Sequence, residues 1–507
     1  MSDDAGESLS RILSGSAITF VGSFLNKLIS FGGSVFMARL LGDSGYGVVA
    51  VALSVYFVTA NIATLGIGNG IARNYPQKGT DAERRGVLVS AFRIGLVSSL
   101  LLGGLVFFLA RPIAVGLFGD RAVTPVLRIM ALVIPLKVLL NYSNSCFQAV
   151  KRATPKSVIT SIVFPIVRIC LIVVLVLAGY AAVGVAGAWV AATGVAAALS
   201  LYLVHRYTDL FSLGRPWTVQ YRELLVFSLP LIGSSVIYRL MNNADTLLIG
   251  SLASSADVGQ YNVAFILSQA TLLFFQTLGF MWVPEISELY ANDRTDRAQT
   301  IFRAVTKWVV FLSVPFTLTA IAFPEFVVTF IYSAEYRAAA VPFLILMVGF
   351  LTHVLVGPVK HTLVACGSTR EIFLVDAATL VVNLALNLTL IPLYGIAGAA
   401  VATSFAYVAR NAGMTWYLDH RYGIFPFSRH LFLPLIPTAI AAVALWALVP
   451  APSLPLVLGY AAALVGVVTL GYLSSGIEEA DLLLAELLEE QTGVDLDRIR
   501  WVHDRLR

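Results

Sequence analysis

Charge is what this sequence has least of. Only 12% of its 507 residues are Asp, Glu, Lys or Arg, against roughly 25% in soluble domains. Hydrophobic residues make up 58%, and mean hydropathy is +0.83. That balance excludes an ordinary soluble fold and makes the chain a polytopic membrane protein. Cysteine is nearly as scarce. Cys146, Cys170 and Cys366 all sit in apolar stretches with no CxxC pair, so they read as packing residues. Motif chemistry is missing too. There is no GxxxxGK[ST] for a nucleotide-driven motor, no HExxH, and no His/Cys metal spacing. Gly66-x-Gly68-x-Gly70 ends an apolar run and is no dinucleotide fingerprint. Asn141-Tyr-Ser143 and Asn387-Leu-Thr389 match the glycosylation pattern but fall inside apolar spans. No cofactor, no catalytic activity and no nucleic-acid partner are expected.

Windows of about 20 apolar residues mark membrane spans. Fourteen are found, near 14–40, 46–70, 87–110, 125–149, 157–180, 184–205, 224–250, 258–281, 305–330, 342–364, 372–391, 396–418, 431–449 and 456–474. Lysine and arginine set the orientation. Of 34 basic residues, ten lie inside spans; with the N-terminus inside, 21 of the other 24 fall on the cytoplasmic side. Only Arg111, Arg121 and Arg337 face outward. Both termini are therefore expected in the cytoplasm and the protein in the cell membrane. The acidic start MSDDAGESLSR has no basic n-region and reads as a retained cytoplasmic end. The outward loops, about 14 residues at most, leave no room for an extracellular catalytic domain. The tail from Ser475, with Leu483, Leu487, Leu488 and Ile499, suggests an amphipathic cytoplasmic helix.

The chain repeats itself. Gly184-Val-Ala-Gly-Ala188 recurs as Gly395-Ile-Ala-Gly-Ala399, His205-Arg206 as His420-Arg421, and GYGVVA at 45–50 as GQYNVA at 259–264. The offset stays at 211–215 residues. The expected fold is all-α, with two pseudo-symmetric six-helix lobes of like orientation and two extra C-terminal helices. The segments are a cytoplasmic N-terminus (1–13), an N-lobe (14–206), an inter-lobe linker (207–223), a C-lobe (224–421), spans 13–14 (431–474) and a cytoplasmic tail (475–507). Two such bundles would enclose a cleft suited to alternating access.

Polar stripes identify what lines that cleft. Ser23, Asn26, Lys27, Ser30 and Ser34 share one face of span 1 at about 100° per residue. Lys137, Asn141, Asn144 and Gln148 share a face of span 4; Arg168 follows Pro165 in span 5. Span 7, Phe227–Gly250, carries Arg239, Asn242, Asn243 and Asp245 in its middle. A charge at mid-bilayer costs about 3 kcal/mol on insertion scales. Span 8 aligns Asn262, Gln269 and Gln276, span 10 brings His353, Lys360 and His361 together, and span 11 aligns Asp376, Asn383 and Asn387. Arg39, Arg128, Lys307 and Arg410 lie nearer span ends and are expected to snorkel to the interface. The deep cations Lys27, Arg93, Lys137, Arg168, Arg239 and Lys360 outnumber Asp245, Asp376 and Glu325. A cationic cavity of low dielectric calls for an anion, with phosphate or pyrophosphate the obvious counter-charge. Asn26, Asn141, Asn242, Gln269 and Asn383 alongside suit sugar hydroxyls. Asp245 and Asp376 are assigned to ion coupling or charge pairing, Asp245 with Arg239.

Ala38-Arg39-Leu40-Leu41-Gly42 followed by Gly45-Tyr46-Gly47 resembles the signature after the first helix of Wzx-type polysaccharide and oligosaccharide flippases. These belong to the multidrug/oligosaccharidyl-lipid/polysaccharide exporter superfamily. Phe227-Ser228-Leu229-Pro230 through Asp245-Thr246-Leu247-Leu248-Ile249-Gly250 to Val258-Gly259-x-Tyr261-Asn262-x-Ala264, and Pro284-Glu285-Ile286-Ser287, are similar to the family's helices 7 and 8 and the loop after them. The resemblance implies a V-shaped two-lobe fold and transfer of a lipid-linked saccharide from the inner to the outer leaflet. It implies a polyprenyl or dolichyl carrier with one or two phosphates. Partners would be the lipid-linked saccharide, membrane lipids, glycosyltransferases of the same pathway and a coupling H+ or Na+. Twelve spans are common in the family; fourteen occur in the related lipid II flippases, where the extra pair forms a groove for the lipid tail. The rival reading is a cation-coupled multidrug antiporter of the same superfamily, which would want acidic residues in the first lobe. Spans 1–6 hold no central Asp or Glu.

Overall fold

The computed structural model describes residues 2–208, 216–272, 282–449 and 451–475. Gln276, residues 209–215 of the 207–223 linker and the tail expected beyond 475 lie outside them. Hydrocarbon cannot hydrogen-bond to backbone, which leaves helices or closed barrels. Among the described residues the chain is helical and has no strand. It is an all-α polytopic membrane protein, with nine helical stretches there long and apolar enough to cross a bilayer. Three of these, Leu25–Gln77, Thr154–Thr208 and Thr369–Tyr422, run to 53, 55 and 54 residues. Straight, each would be about 80 Å long against roughly 30 Å of hydrocarbon. Each is broken instead, at Gly42 (φ 68°, ψ 177°), Gly179 (φ 90°) and Gly395 (φ 58°, ψ −139°). The Gly42 and Gly395 conformations are ones that a Cβ resists. Each long stretch thus holds two expected spans, and helix covers all or part of every one of the fourteen. The repeat is not exact at this level. Gly395 is itself a break, whereas its counterpart Gly184 is helical and the first-half break sits at Gly179 and Ala181.

The chain forms two compact units, Met1–Asn262 and Val263–Arg507. The first contains α1 (Ser2–Ala63), α2 (Ile67–Gln77), α3 (Asp81–Arg111), α4 (Val123–Ala149), α5 (Ala153–Val158), α6 (Phe164–Leu175), α7 (Ala181–Thr208), α8 (Tyr221–Leu252) and the start of α9 (Ser255–Gln269). α4 lies at its centre, packed on α1, α2, α3 and α7. The unit does not end at the linker, because α8 packs along α1, α2 and α3. The last linker residues are a strap on α3. Thr218 N–H donates to the Ala82 carbonyl (3.3 Å) and Gln220 N–H to Ser90 Oγ (3.0 Å). α3 starts with a Thr80–Glu83 capping box, whose Thr80 hydroxyl holds the Glu83 carboxyl below the usual carboxylate range.

Gly86 lets the strap approach, since a Cβ there would run into the Thr218 carbonyl. Gly86→Ala is therefore expected to destabilise the purified protein by about 1–3 kcal/mol, read as a lower thermal midpoint. Gly104→Ala, with open space around it, should leave the midpoint unchanged.

α1 and α9 approach closely at two glycines. A Cβ on Gly47 would overlap the Ser255 carbonyl, and one on Gly259 the Asp43 carbonyl. Gln260 donates to Asp43 Oδ2 (2.9 Å) and Ser255 to Asp120 Oδ2 (2.5 Å) beside that crossing.

The second unit contains α10 (Trp282–Ala291), α11 (Thr295–Ala322), α12 (Pro324–Ile331), α13 (Ala340–Leu355), α14 (Val359–Ala365), α15 (Thr369–Tyr422), α16 (Arg429–Phe432), α17 (Leu435–Ala447) and α18 (Leu454–Ser475). Its main core gathers Trp282, Phe302, Val309, Met414 and Leu418. Trp282 Nε1–H donates to Thr362 Oγ1 at 2.8 Å, tying α10 to α14. The two C-terminal helices pair with each other, and α18 lies on α11. Tyr460 anchors them, with its ring 5.0 Å from Phe323 and its hydroxyl on the Ala442 carbonyl.

Candidate functional site

Three of the expected cations meet in the first unit. Arg168 projects from α6 just after the π-helical turn Ile159–Val163 and Pro165. Its guanidinium lies 5.1 Å from the Phe164 ring and 4.8 Å from the Trp189 ring, and donates to Ser30 Oγ at 3.3 Å. Arg239 of α8 lies 5.8 Å over Phe57. Phe164, Trp189, Phe57 and Tyr56 are joined ring to ring at 5.1–5.8 Å. The two guanidiniums therefore sit on one aromatic wall built by α1, α6 and α7. Lys137 of α4 is half-buried and feels the charges of both Arg239 and Arg168. Among the described residues no carboxylate pairs with any of the three.

Weakly hydrated guanidinium groups on aromatic faces are held in place by cation–π attraction while their N–H edges stay available. With Lys137 added, the arrangement offers three positive charges to one anion. Neutral polar groups surround it. Ser30 Oγ donates to Asn26 Oδ1 (3.2 Å), next to the exposed Lys27. Asn141 is half-buried on the Lys137 face, and the buried Asn144 Oδ1 and Trp189 Nε1 lack partners among the described residues.

The other expected residues stand elsewhere. Exposed Arg93 stacks on Trp217 (4.7 Å) and reaches the Tyr221 hydroxyl (3.5 Å). Exposed Asn242 donates to the Tyr238 carbonyl. Asp245 is not paired with Arg239. It is 5% exposed and accepts from the Tyr261 hydroxyl at 2.7 Å. Six residues along one helix put Asp245 and Arg239 about 120° and 9 Å apart. In the second unit Gln269 is exposed and Asn383 is buried, donating to Thr403 Oγ1 at 3.3 Å. Lys360 is bound to Asp376 Oδ2 (3.1 Å), whose Oδ1 takes Arg410 Nε at 2.6 Å. Near them His353 Nδ1 meets Asn411 Oδ1 at 3.1 Å.

Two expectations of snorkelling are overturned. Arg410 and Lys307 are 6% and 5% exposed. Arg410 is held inside by Asp376; Lys307 lies beneath α18, where Tyr472 donates to its carbonyl. Arg39 and Arg128 are exposed. The aromatic wall was not foreseen, because aromatic residues in an apolar span leave no polar periodicity to read.

Comparison with known proteins places these features. The family profile described as "Polysaccharide biosynthesis protein" matches residues 12–290, and the MatE profile matches 230–389. The chain is similar to the "Probable low-salt glycan biosynthesis flippase Agl15" of Haloferax volcanii, 24% identical over 41% of this chain and 44% of that one. It is 26% identical to the "Succinoglycan biosynthesis transport protein ExoT" of Rhizobium meliloti, over 68% of this chain and 67% of ExoT. The stage V sporulation protein B of Bacillus subtilis is 25% identical over 54% and 58%. The chain thus spans only about half the length of Agl15 and of the sporulation protein. Among solved structures, the lipid II flippase MurJ in an inward closed conformation aligns with TM-score 0.71 over 93% of this chain and 100% of MurJ, at 14% identity. An inward-facing multidrug resistance transporter of the MATE family aligns with TM-score 0.57 over 77% and 93%, at 15% identity. At such identities the likeness is one of fold.

Proposed function

Because the chain belongs to the polysaccharide biosynthesis protein family, we propose that it is a flippase for a lipid-linked saccharide. The load is a polyprenyl or dolichyl carrier with one or two phosphates, moved from the inner to the outer leaflet by alternating access. The observation that carries this reading is the pair Arg168 and Arg239 on the Phe57–Trp189–Phe164 wall, with Lys137 feeling both their charges and no carboxylate pairing among the described residues. Phosphate oxygens supply the missing negative charge through charge-assisted hydrogen bonds, and guanidinium is the fork that suits them. An aromatic face beside the phosphates suits the apolar side of a sugar ring. Asn26, Ser30 and Asn141 offer partners for its hydroxyls.

The protein works in the cell membrane with both termini in the cytoplasm and takes its load from pathway glycosyltransferases. H+ or Na+ drives the cycle. Reconstitution in liposomes with a labelled lipid-linked saccharide tests the assignment. Arg168→Gln and Arg239→Gln are each expected to lower the flipping rate by roughly tenfold or more, as one charge-assisted contact is lost. Unchanged flipping in the double variant would sink the site.

The match of the MatE profile across 230–389 supports a second reading, a cation-coupled multidrug antiporter. That stretch contains the buried carboxylate Asp245 and the paired Asp376. Efflux of a cationic dye in place of saccharide flipping, abolished by Asp245→Asn, would favour it. The three cations of the first unit weigh against a cationic load.

A further inference from the structure

A separate cavity of about 890 Å³ lies in the first unit, where α2 ends and the strap enters α8. Arg73, Asn74 and Gln77 of α2 line it opposite Gln220, Arg222 and Phe227. Its charge is not balanced. Arg73 lies 4.4 Å over the Phe227 ring and is exposed. Arg222 is also exposed, and neither guanidinium is ion-paired among the described residues. The one carboxylate in the lining, Glu223, is taken by Lys78 at 2.7 and 2.9 Å. The same lining holds an unanswered donor. Asn74 is 4% exposed, and its Nδ2 has no acceptor among the described residues. Buried amide donors are nearly always satisfied, so an orphan in a cavity wall points to a ligand acceptor.

We propose that this cavity binds the phosphate group of an anionic ligand, with Arg73 and Arg222 supplying charge and Asn74 a directed N–H. It is distinct from the central cluster and shares none of its residues. The basic-residue balance predicts that it opens on the cytoplasmic side, next to lipid headgroups. The phosphate could arrive on a membrane lipid or free in solution, and the two probes below separate those sources.

The full chain carrying Arg168→Gln and Arg239→Gln, so that the central cluster contributes nothing, is titrated with phosphatidylglycerol and, separately, with inorganic pyrophosphate. Bound species are counted by native mass spectrometry, with phosphatidylcholine as the neutral control. Adding Arg73→Gln and Arg222→Gln is expected to cut occupancy by one of the probes about tenfold or more while leaving phosphatidylcholine unchanged. Loss with phosphatidylglycerol assigns a lipid headgroup; loss with pyrophosphate alone assigns a soluble phosphate. Asn74→Asp, which keeps both arginines and adds a negative charge, should lower the same occupancy and keeps the test open if the arginine variants fail to fold. Equal occupancy by both probes with and without these changes overturns the proposal, whatever becomes of saccharide flipping.

Discussion

Arg410→Leu is expected to be the most damaging single change in the second unit, costing about 3–5 kcal/mol of stability. Arg410 is 6% exposed and donates to Asp376 Oδ1 at 2.6 Å, while Lys360 holds Oδ2 at 3.1 Å. Removing the guanidinium leaves Asp376 with one partner that is itself partly exposed. The carboxylate, 13% exposed, is then left short of donors. Thermal denaturation in detergent should show the loss. Arg410→Leu combined with Asp376→Leu should recover part of it, because the carboxylate that lost its guanidinium is then gone. If the double variant is as unstable as the sum of the two singles, the pair is not coupled and the reading fails.

Gly47→Val should come close to it in effect. The Gly47 backbone lies against the Ser255 carbonyl, and that of Gly259 against the Asp43 carbonyl. A valine at Gly47 meets backbone that cannot swing aside like a flexible side chain. The crossing must open, and overpacking of this kind costs about 1–3 kcal/mol or more. The Asp43–Gln260 and Asp120–Ser255 hydrogen bonds would lengthen with it. Faster labelling of a cysteine introduced at Ser255, in the Gly47→Val background compared with the parent, reports the opening. Identical labelling rates and melting midpoints would show that the crossing is soft.

What could be read from the sequence follows from what leaves a periodic trace. Lys137, Arg168 and Arg239 stand out because a charge in an apolar span is costly, and the structure brings these three together. The helical class and the positions of the spans follow from apolar run length, and among the described residues helix lies on all or part of each. Four things were not legible, each for a physical reason. Tyr56, Phe57 and Trp189 look like ordinary apolar filling until the fold stacks them under the guanidiniums. Arg410 sits near enough to a span end to pass for a snorkelling residue, and only its partner 34 positions earlier marks it as buried. The partner of Asp245 is Tyr261 on the following helix, at a spacing set by the break after α8. The limits of the compact units reflect packing, whereas the internal repeat reflects similarity of sequence; α8 belongs to the second copy by sequence and to the first unit by contact.

The aromatic wall also bears on how the protein should be handled. Two guanidiniums fixed on rings with Lys137 close enough to feel their charge, and no carboxylate pairing among the described residues, are expected to attract small anions from the buffer. If this cluster holds the proposed load, chloride, sulfate and inorganic phosphate are expected to compete with it, and affinity measured in a phosphate buffer should fall below that measured in acetate or a zwitterionic one. The buffer anion becomes an experimental variable in its own right. Its order of potency, with multivalent oxyanions ahead of halides, would describe the shape of the site before any lipid is added.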